Sequence, residues 1–272
     1  MELLTILLSG LLSLLSPVGL VTDKIIERNL RARLNKVEQL QVRIDNTPSY
    51  QLLQGKVDRV RIAGRGLWLT PNIRIGALEV ETDPVSLDLQ SLRQRDRKSP
   101  IASLRQPLQA GLRLVLTEKD LNQTLQSPAV TARLRLLGSR FLGGSPENYE
   151  VLNTKADFLD NNRLRFQVEL QQKGGQPQAI ALESGFGFTA GRKLQLIEPA
   201  VSINGKALSP LLIAGFSAGL GDRLDLRTLE ERGITARVLQ FKIDSNELKV
   251  AAFVRVDPSK QATAKPTGAN SP

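Results

Sequence analysis

Apolar and polar residues alternate through much of residues 50–92, and this pattern predicts three consecutive β-strands. The alternation covers residues 60–64, 73–82 and 85–89, and in the second run it slips by one position near Gly76. A two-residue period places alternate side chains on opposite faces of a sheet, so one face is apolar and the other is charged. A one-residue slip is typical of a β-bulge, which bends a sheet. The stretch therefore predicts a bent antiparallel sheet whose apolar face is covered by the rest of the chain.

Helical patterns are found in three other stretches. Residues 22–37 carry apolar side chains on one stripe, which either packs on the sheet or lies on an anionic membrane surface. Residues 117–125 begin with a capping threonine and an acidic first turn, as helices do. Residues 208–220 are uncharged and are also predicted to be helical. Residues 130–137 fit either a strand or a continued helix, and the pattern leaves both open.

Strand alternation returns in residues 40–44, in 112–116 and repeatedly between 149 and 203. Residues 160–162 (Asp-Asn-Asn) predict a hairpin turn, because Asn tolerates positive φ. Residues 234–256 predict a final hairpin. Helices that are segregated beside antiparallel strands indicate an α+β fold. We expect a long, strongly curved antiparallel sheet that is wrapped around or covered by a few helices.

The chain divides into an apolar start, one main domain and a polar end. Residues 1–20 are nearly uncharged and about as long as a membrane-spanning helix. They are interpreted as a membrane anchor or uncleaved signal, as a buried helix of the domain, or as a cleaved signal. Residues 21–256 are predicted to form a single domain, which a basic, proline-containing linker interrupts at 90–109. Residues 257–272 are predicted to be a disordered tail.

Composition narrows the chemistry. Among 272 residues there is no His and no Cys, which excludes a Ser-His-Asp triad, His-based zinc sites and thiol catalysis. No cofactor or metal is expected. The formal net charge is +10, which indicates either an anionic partner or an arginine-rich soluble surface. Nucleic acid is not the expected partner, because the basic linker lacks interleaved aromatic residues for base stacking.

Short motifs give no catalytic site. Residues 215–219 match G-x-S-x-G, but the preceding residues look helical and no His is present to act as the base. We interpret these small residues as spacing for close packing against a sheet or lipid. Residues 157–162 do not follow the calcium-loop pattern, and turn chemistry explains them. Trp68 is expected at a pocket mouth, at a membrane interface or in the core.

Several blocks in the chain resemble a known family. They are residues 54–60 (QGKVDRV), 63–67 (AGRGL) and 78–80 (LEV), the 117–125 helix (TEKDLNQTL) and the 234–256 hairpin. Their order resembles the LmeA family of bacterial phospholipid-binding proteins, over roughly residues 21–256. The resemblance implies a protein of the cell envelope that binds phospholipid in an elongated apolar groove. It also implies a sheet curved around a helix, similar to tubular lipid-binding (TULIP) domains, and it brings no catalytic motif.

These observations predict a protein that binds, and possibly transfers, phospholipid or another acyl-chain lipid without catalysis, in association with the membrane surface or in the periplasm. The alternative is a membrane-associated scaffold with a filled core. A lipid groove needs aliphatic walls, with basic residues at the rim for the phosphate. The groove candidates are Ile62, Leu67, Trp68, Ile75, Leu78, Val80, Phe166, Val168, Phe186, Leu212 and Phe216, and the head-group candidates are Arg28, Arg31 and Arg65.

Overall fold

The computed structural model describes residues 23–88 and 103–258. The predicted apolar start, most of the basic linker and most of the tail lie outside the described residues. In chain order the elements are α1 (Asp23–Arg31), β1 (Lys36–Asp45), a 3-10 helix (Ser49–Gln54), β2 (Lys56–Val57), β3 (Arg59–Thr70), β4 (Ile73–Thr82), β5 (Val85–Ser86), β6 (Leu108–Thr117), α2 (Glu118–Leu125), α3 (Pro128–Leu142), a 3-10 helix (Pro146–Asn148), β7 (Tyr149–Leu159), β8 (Arg163–Gln172), β9 (Pro177–Thr189), β10 (Lys193–Ile203), β11 (Lys206–Ala207), α4 (Pro210–Arg223), a 3-10 helix (Leu226–Arg232), β12 (Ile234–Ile243) and β13 (Glu247–Val256).

The strands form two main antiparallel sheets. The first has six strands in the order β1-β3-β4-β6-β13-β12, and the second has five in the order β11-β10-β9-β8-β7. The five-stranded sheet is inserted in the chain between β6 and the β12–β13 hairpin, and β13 returns to pair with β6. The predicted α+β class with antiparallel strands is confirmed. The strands are divided between two sheets instead of forming one long sheet, and neither sheet closes on itself within the described part of the chain.

Several element boundaries differ from the sequence prediction. The first helix ends at Arg31 and not near Val37, because Val37 pairs with Leu67 as part of β1. The ambiguous stretch 130–137 belongs to helix α3, which begins at Pro128 and is capped by the hydroxyl of Ser127.

The predicted bulge near Gly76 is wrong. Between β3 and β4 the register shifts at Trp68 and Thr70, while Arg65 and Leu67 face Ala77 and Ile75 without a shift. In β3, Gly66 has a φ of +56°, a backbone conformation that L side chains rarely adopt, so this position favours glycine.

Each sheet has its own hydrophobic core. Residues of β1, β3 and β4 bury their apolar side chains together with Ile26 and Leu30 of α1. The third predicted strand of this region, 85–89, is reduced to the short β5, after which Leu87 forms an isolated bridge with Leu104. The second core lies between α3 and the five-stranded sheet and includes Leu134 and Leu170. The two cores follow from the division of the strands into two sheets.

Helix α2 joins the two sheets through side chains. The carboxylate of Asp120 accepts a hydrogen bond from the Arg74 guanidinium of β4 at 2.7 Å. On the other side, the Asn122 side chain forms two hydrogen bonds with Ala156 of β7. Its amide oxygen accepts from the Ala156 N–H, and its amide nitrogen donates to the Ala156 carbonyl, both at 2.8 Å. The Glu118 carboxylate accepts from the N–H of Phe158 at 2.8 Å. Strand β7 is the edge of its sheet, so α2 satisfies backbone groups that no neighbouring strand reaches.

Two hairpin tips of the five-stranded sheet also contact β12. The N–H of Val238 donates to the carbonyl of Gly191 at 2.6 Å, and the N–H of Ile243 donates to the Asn162 side chain. Asn161 and Asn162 both have positive φ, which confirms the predicted turn. The two sheets are thus joined at α2 and at β12.

Candidate functional site

An apolar cavity of about 100 Å³ lies between the five-stranded sheet and helices α3 and α4. Its fourteen lining residues are all aliphatic side chains, phenylalanines or Gly138. The sheet contributes alternate residues of β8, β9 and β10, which the two-residue period places on one face. The cavity contains no side chain that could act as an acid, a base or a nucleophile, so its chemistry is limited to holding an apolar group.

Helix α3 packs closely at its side of the cavity. Leu134 and Leu137 are three residues apart and therefore point to the same face of the helix, where they line the cavity. A Cβ at Gly138 would lie 2.8 Å from the Leu170 side chain, so the glycine lets this helix lie close to the sheet. Tyr149 donates its hydroxyl hydrogen to the carbonyl of Gly143 at 2.7 Å and secures the end of α3.

Helix α4 is held mainly at its C-terminal end. Gly221 is its only buried residue, and a Cβ there would lie 2.8 Å from the carbonyl oxygen of Leu194 in β10. Toward the N-terminal end, Leu211 is 83% exposed and Leu212 is 59% exposed. The Ser209 side chain forms no capping hydrogen bond. On this side the cavity is therefore covered by a helix whose only buried residue is Gly221.

The G-x-S-x-G stretch lies within α4 and has no catalytic geometry. The Ser217 hydroxyl donates to the carbonyl of Ile213 at 2.8 Å, one turn earlier in the helix. Of the two alternatives for these small residues, packing against the sheet is wrong for Gly215 and Gly219, because a Cβ at either would meet nothing within 4 Å, and packing against lipid stays a prediction. The close approach occurs at Gly221, outside the motif.

The predicted groove residues are divided between several places. Phe166, Val168, Leu212 and Phe216 come together and line the cavity. The others lie elsewhere: Ile62, Leu67, Ile75 and Leu78 are buried in the six-stranded sheet's core, Val80 packs against that core, and Phe186 stands 6.4 Å from Phe241 between ring centres.

Trp68 and the three predicted head-group arginines do not line the cavity. Trp68 is half-buried, with the Lys36 ammonium 5.0 Å and the Arg74 guanidinium 4.9 Å from its ring centre. Arg31 is paired with Glu27 at 2.9 Å on α1, and Arg28 and Arg65 are exposed.

The sequence did not single out the lining residues of α3, β9 and β10, such as Leu134, Leu182 and Val201. The two-residue alternation predicted strands β9 and β10. It does not show which face of the sheet a helix will cover, because that depends on residues far away in the sequence. The α3 residues were missed because the type of that element was left open.

A wider depression of about 440 Å³ on the six-stranded sheet is lined by eleven residues, of which three are arginines and two are glutamates. Its cations have acidic partners: Arg61 bonds to Asp45, and Arg113 bonds to Glu79 at 2.9 Å. The hydrogen bond from Arg61 holds the pKa of Asp45 below its ordinary value. Because the charges are balanced, this depression does not favour an anionic ligand. In residues 23–88 and 103–258, no group of three or more acidic side chains is placed to hold a metal ion.

The fold thus combines antiparallel sheets with a cavity that is lined only by apolar groups and contains no ionisable side chain. The LmeA-like phospholipid-binding family matches residues 15–253, and the chain belongs to this family. The resemblance found in the sequence is thereby confirmed, and lipid binding is the activity that the family suggests. None of the helices in the described ranges is long and apolar enough to cross a membrane.

Other comparisons add no functional information. A search among curated proteins finds no match. Among solved structures, the di-domain ARO/CYC StfQ from the steffimycin biosynthetic pathway aligns at 9% identity over 97% of this chain and 85% of that one. The TM-score of 0.16 is too low to support an argument about the fold.

Proposed function

We propose that this protein binds phospholipid without catalysis and holds an acyl chain in the cavity between α3, α4 and the five-stranded sheet. The observation that carries the proposal is the lining itself, which is apolar at every one of its fourteen positions. Transfer of an acyl chain out of water stabilises the complex by about 0.8 kcal/mol for each buried CH₂ group. A chain of ordinary length therefore binds tightly without any polar contact inside the cavity.

The size of the cavity requires a movement. Pockets for drug-sized ligands measure roughly 300–1,000 Å³, and the cavity of about 100 Å³ is smaller. Helix α4 is the element that we propose to move, because Gly221 is its only buried residue. Displacement of its N-terminal end, at Leu211 and Leu212, would lengthen the cavity into a groove. The resulting groove, bounded by curved antiparallel strands, is the arrangement expected of a TULIP-like protein.

The phosphate head group stays outside the groove in this proposal. Burial of an unpaired charge among apolar side chains is unfavourable by several kcal/mol or more. The exposed position of Leu212, which also lines the cavity, marks the end at which the head group would meet water. We further propose that the protein acts at the cell envelope, and that release of the same lipid at a second membrane would make it a transfer protein.

Native mass spectrometry of the full-length protein, incubated with phospholipid in mild detergent, tests the proposal. We expect one phospholipid per protein molecule in the wild type. Val201→Phe adds bulk inside the cavity and is expected to abolish most of this binding. Val250→Phe makes the same change at a half-buried residue of β13 in the other sheet, and it is expected to retain the lipid. Wild-type protein that takes up no phospholipid refutes the proposal and favours a scaffold with a filled core.

A further inference from the structure

Helices α3 and α4 together expose an apolar surface. Leu136 of α3 is 49% exposed, and Leu211 and Leu212 of α4 are 83% and 59% exposed. Both helices line one cavity over one face of the five-stranded sheet, so their outer sides point away from that sheet in the same direction. We call the exposed residues of α3 and α4 the helical face. Exposed leucines on adjacent helices are unusual for a surface that meets only water.

The helical face is also basic. Arg133 and Arg135 of α3 are exposed, and neither forms an ion pair with any residue in the described ranges. The sequence of α3 contains no acidic residue, and that of α4 contains none before Asp222 in its last turn. By contrast, Arg165 on the same sheet is paired with Glu183 at 2.8 Å. The combination of exposed leucines and unpaired cations complements a surface that is apolar underneath and negatively charged on top.

We propose that the helical face docks on an anionic phospholipid bilayer. Leu136, Leu211 and Leu212 enter the boundary between head groups and acyl chains, and Arg133 and Arg135 contact lipid phosphates. Helices that lie in this boundary have apolar residues on one side and basic residues beside them. The inference rests on the proposed function and adds to it the membrane partner and the surface that meets it.

A bilayer fits this face better than a protein partner does. Protein interfaces are enriched in Tyr, Trp, Phe, Met and Arg at their centres, and of these types only arginine is among the residues described as exposed on the helical face. The outer positions of α4 are instead Leu, Ala and Gly, and Gly215 and Gly219 leave open space around the backbone. Such residues offer little shape for a specific protein partner, but they are compatible with fluid lipid.

Docking in this orientation explains how a lipid enters the cavity. Leu212 belongs both to the helical face and to the lining, so the cavity's exposed end lies at the docked surface. Displacement of α4 into the bilayer boundary then joins the cavity to the acyl chains of the membrane. An acyl chain passes between them without crossing water, in which exposure of its CH₂ groups is unfavourable.

Vesicle flotation with the full-length protein tests the apolar part of the proposal. The vesicles contain phosphatidylglycerol and phosphatidylcholine. Leu136→Glu combined with Leu211→Glu is expected to weaken binding at least about tenfold, since each leucine loses its favourable burial and gains a repelled charge. Leu53→Glu combined with Leu239→Glu is the matched control, because Leu53 of the first 3-10 helix and Leu239 of β12 are 68% and 71% exposed and lie outside the helical face. Equal binding by the double variant and the control would overturn the proposal.

The role of the two arginines in docking is tested by removal of their charges. Arg133→Gln combined with Arg135→Gln is expected to reduce affinity for these vesicles about thirtyfold, at roughly fivefold for each arginine near an anionic surface. Arg33→Gln combined with Arg65→Gln removes the same charge from exposed residues of the other sheet and its flanking loop. If the control pair loses as much affinity, the attraction comes from the overall charge of the protein and the helical face is not the docking surface.

The two proposals fail in different ways. None of Arg133, Arg135, Leu136 and Leu211 lines the cavity, so their variants are expected to load phospholipid normally in detergent. If the variants float as well as the wild type and the wild type loads phospholipid, docking alone is refuted. If the variants float less well than the wild type but the wild type loads no phospholipid, the cavity alone is refuted. Because the chain has no Cys, Ala218→Cys also provides a single site on α4 for an environment-sensitive fluorophore. A label at Ala218 that stays water-exposed on vesicles contradicts docking even if the variants above misfold.

Discussion

Replacement of Asp120 by Ala is expected to weaken the joint between α2 and the six-stranded sheet. Asp120 is 2% exposed, and its carboxylate accepts from the Arg74 guanidinium at 2.7 Å. The same carboxylate accepts from the N–H of Thr117 at 3.2 Å, while the Thr117 hydroxyl accepts from the N–H of Asp120 at 3.1 Å. The side chain therefore forms both an ion pair and half of a capping box.

The expected loss of stability depends on which partners Arg74 keeps after Asp120 is replaced. Removal of one partner from a buried ion pair lowers the free energy of unfolding by about 3–5 kcal/mol when the other charge is left without compensation. Arg74 retains Glu38 at 3.2 Å and is partly exposed, so the lower end of that range applies. Burial works to lower the pKa of Arg74, and the hydrogen bonds to Asp120 and Glu38 more than offset this and raise it. Loss of the hydrogen bond from the Thr117 N–H adds about 1 kcal/mol, giving about 4 kcal/mol in total.

Urea unfolding measures this change, with the fluorescence of Trp68 as the probe. Trp68 is the only tryptophan and lies beside Arg74, so its emission reports this joint. Glu38→Gln is the control, because it removes the exposed partner of the same guanidinium and is expected to change stability by less than about 1 kcal/mol. If Asp120→Ala lowers the free energy of unfolding no more than Glu38→Gln does, the buried pair contributes no more than an exposed one and the reasoning is wrong.

Three further predictions concern the junctions and the surface charges. Asn122→Ala is expected to lower the free energy of unfolding by about 2 kcal/mol and to speed amide exchange at Ala156, because both hydrogen bonds between Asn122 and Ala156 are lost. Unchanged exchange at Ala156 would contradict this prediction. Gly191→Ala is expected to destabilise the protein more than Gly174→Ala does. Both glycines have positive φ, but only at Gly191 would the new Cβ lie close to another group, 2.7 Å from the Val238 carbonyl oxygen. Equal urea midpoints would show that this contact does not matter. Finally, Arg165 lowers the pKa of Glu183, and Arg61 lowers the pKa of Asp45. The contribution of these two ionised carboxylates to the free energy of unfolding is therefore complete above about pH 5, and it is lost as the pH falls through the lowered pKa values. A urea midpoint that is as high at pH 3 as at pH 7 would refute this contribution.

The strands were largely predictable because the two-residue alternation is a local property of the chain. The Asn161–Asn162 turn and the β12–β13 hairpin lie where the alternation and the turn residues placed them. The bulge was placed in the wrong strand: the register shift between β3 and β4 lies at Trp68 and Thr70 of β3, and a pattern along one strand does not show which neighbour carries the irregularity. The division into two sheets depends on β13 returning to β6 across more than a hundred residues, which no local pattern records.

The cavity was predictable only in part. Phe166 and Val168 were identified because they alternate with charged residues, and Leu212 and Phe216 because they lie in an uncharged helix. Ile75 and Leu78 satisfy the same criterion, yet they lie in the core of the other sheet. An apolar residue looks the same in sequence whether it lines a cavity or fills a core. The difference arises from packing: α1 covers its sheet with buried residues, whereas α4 buries only Gly221.

The position of α2 beside β7 has a consequence for self-association. An open sheet edge presents a row of free N–H and C=O groups that a strand from another molecule can use to extend the sheet, which is how many proteins polymerise. Here Asn122 and Glu118 already occupy those groups at Ala156 and Phe158. On the opposite side of the sheet, β11 pairs only with Ser202 and Ile203 of β10, so this protection belongs to the β7 edge. Helix α3, which lies beside β7, can therefore expose apolar surface without a template for fibril growth along that edge.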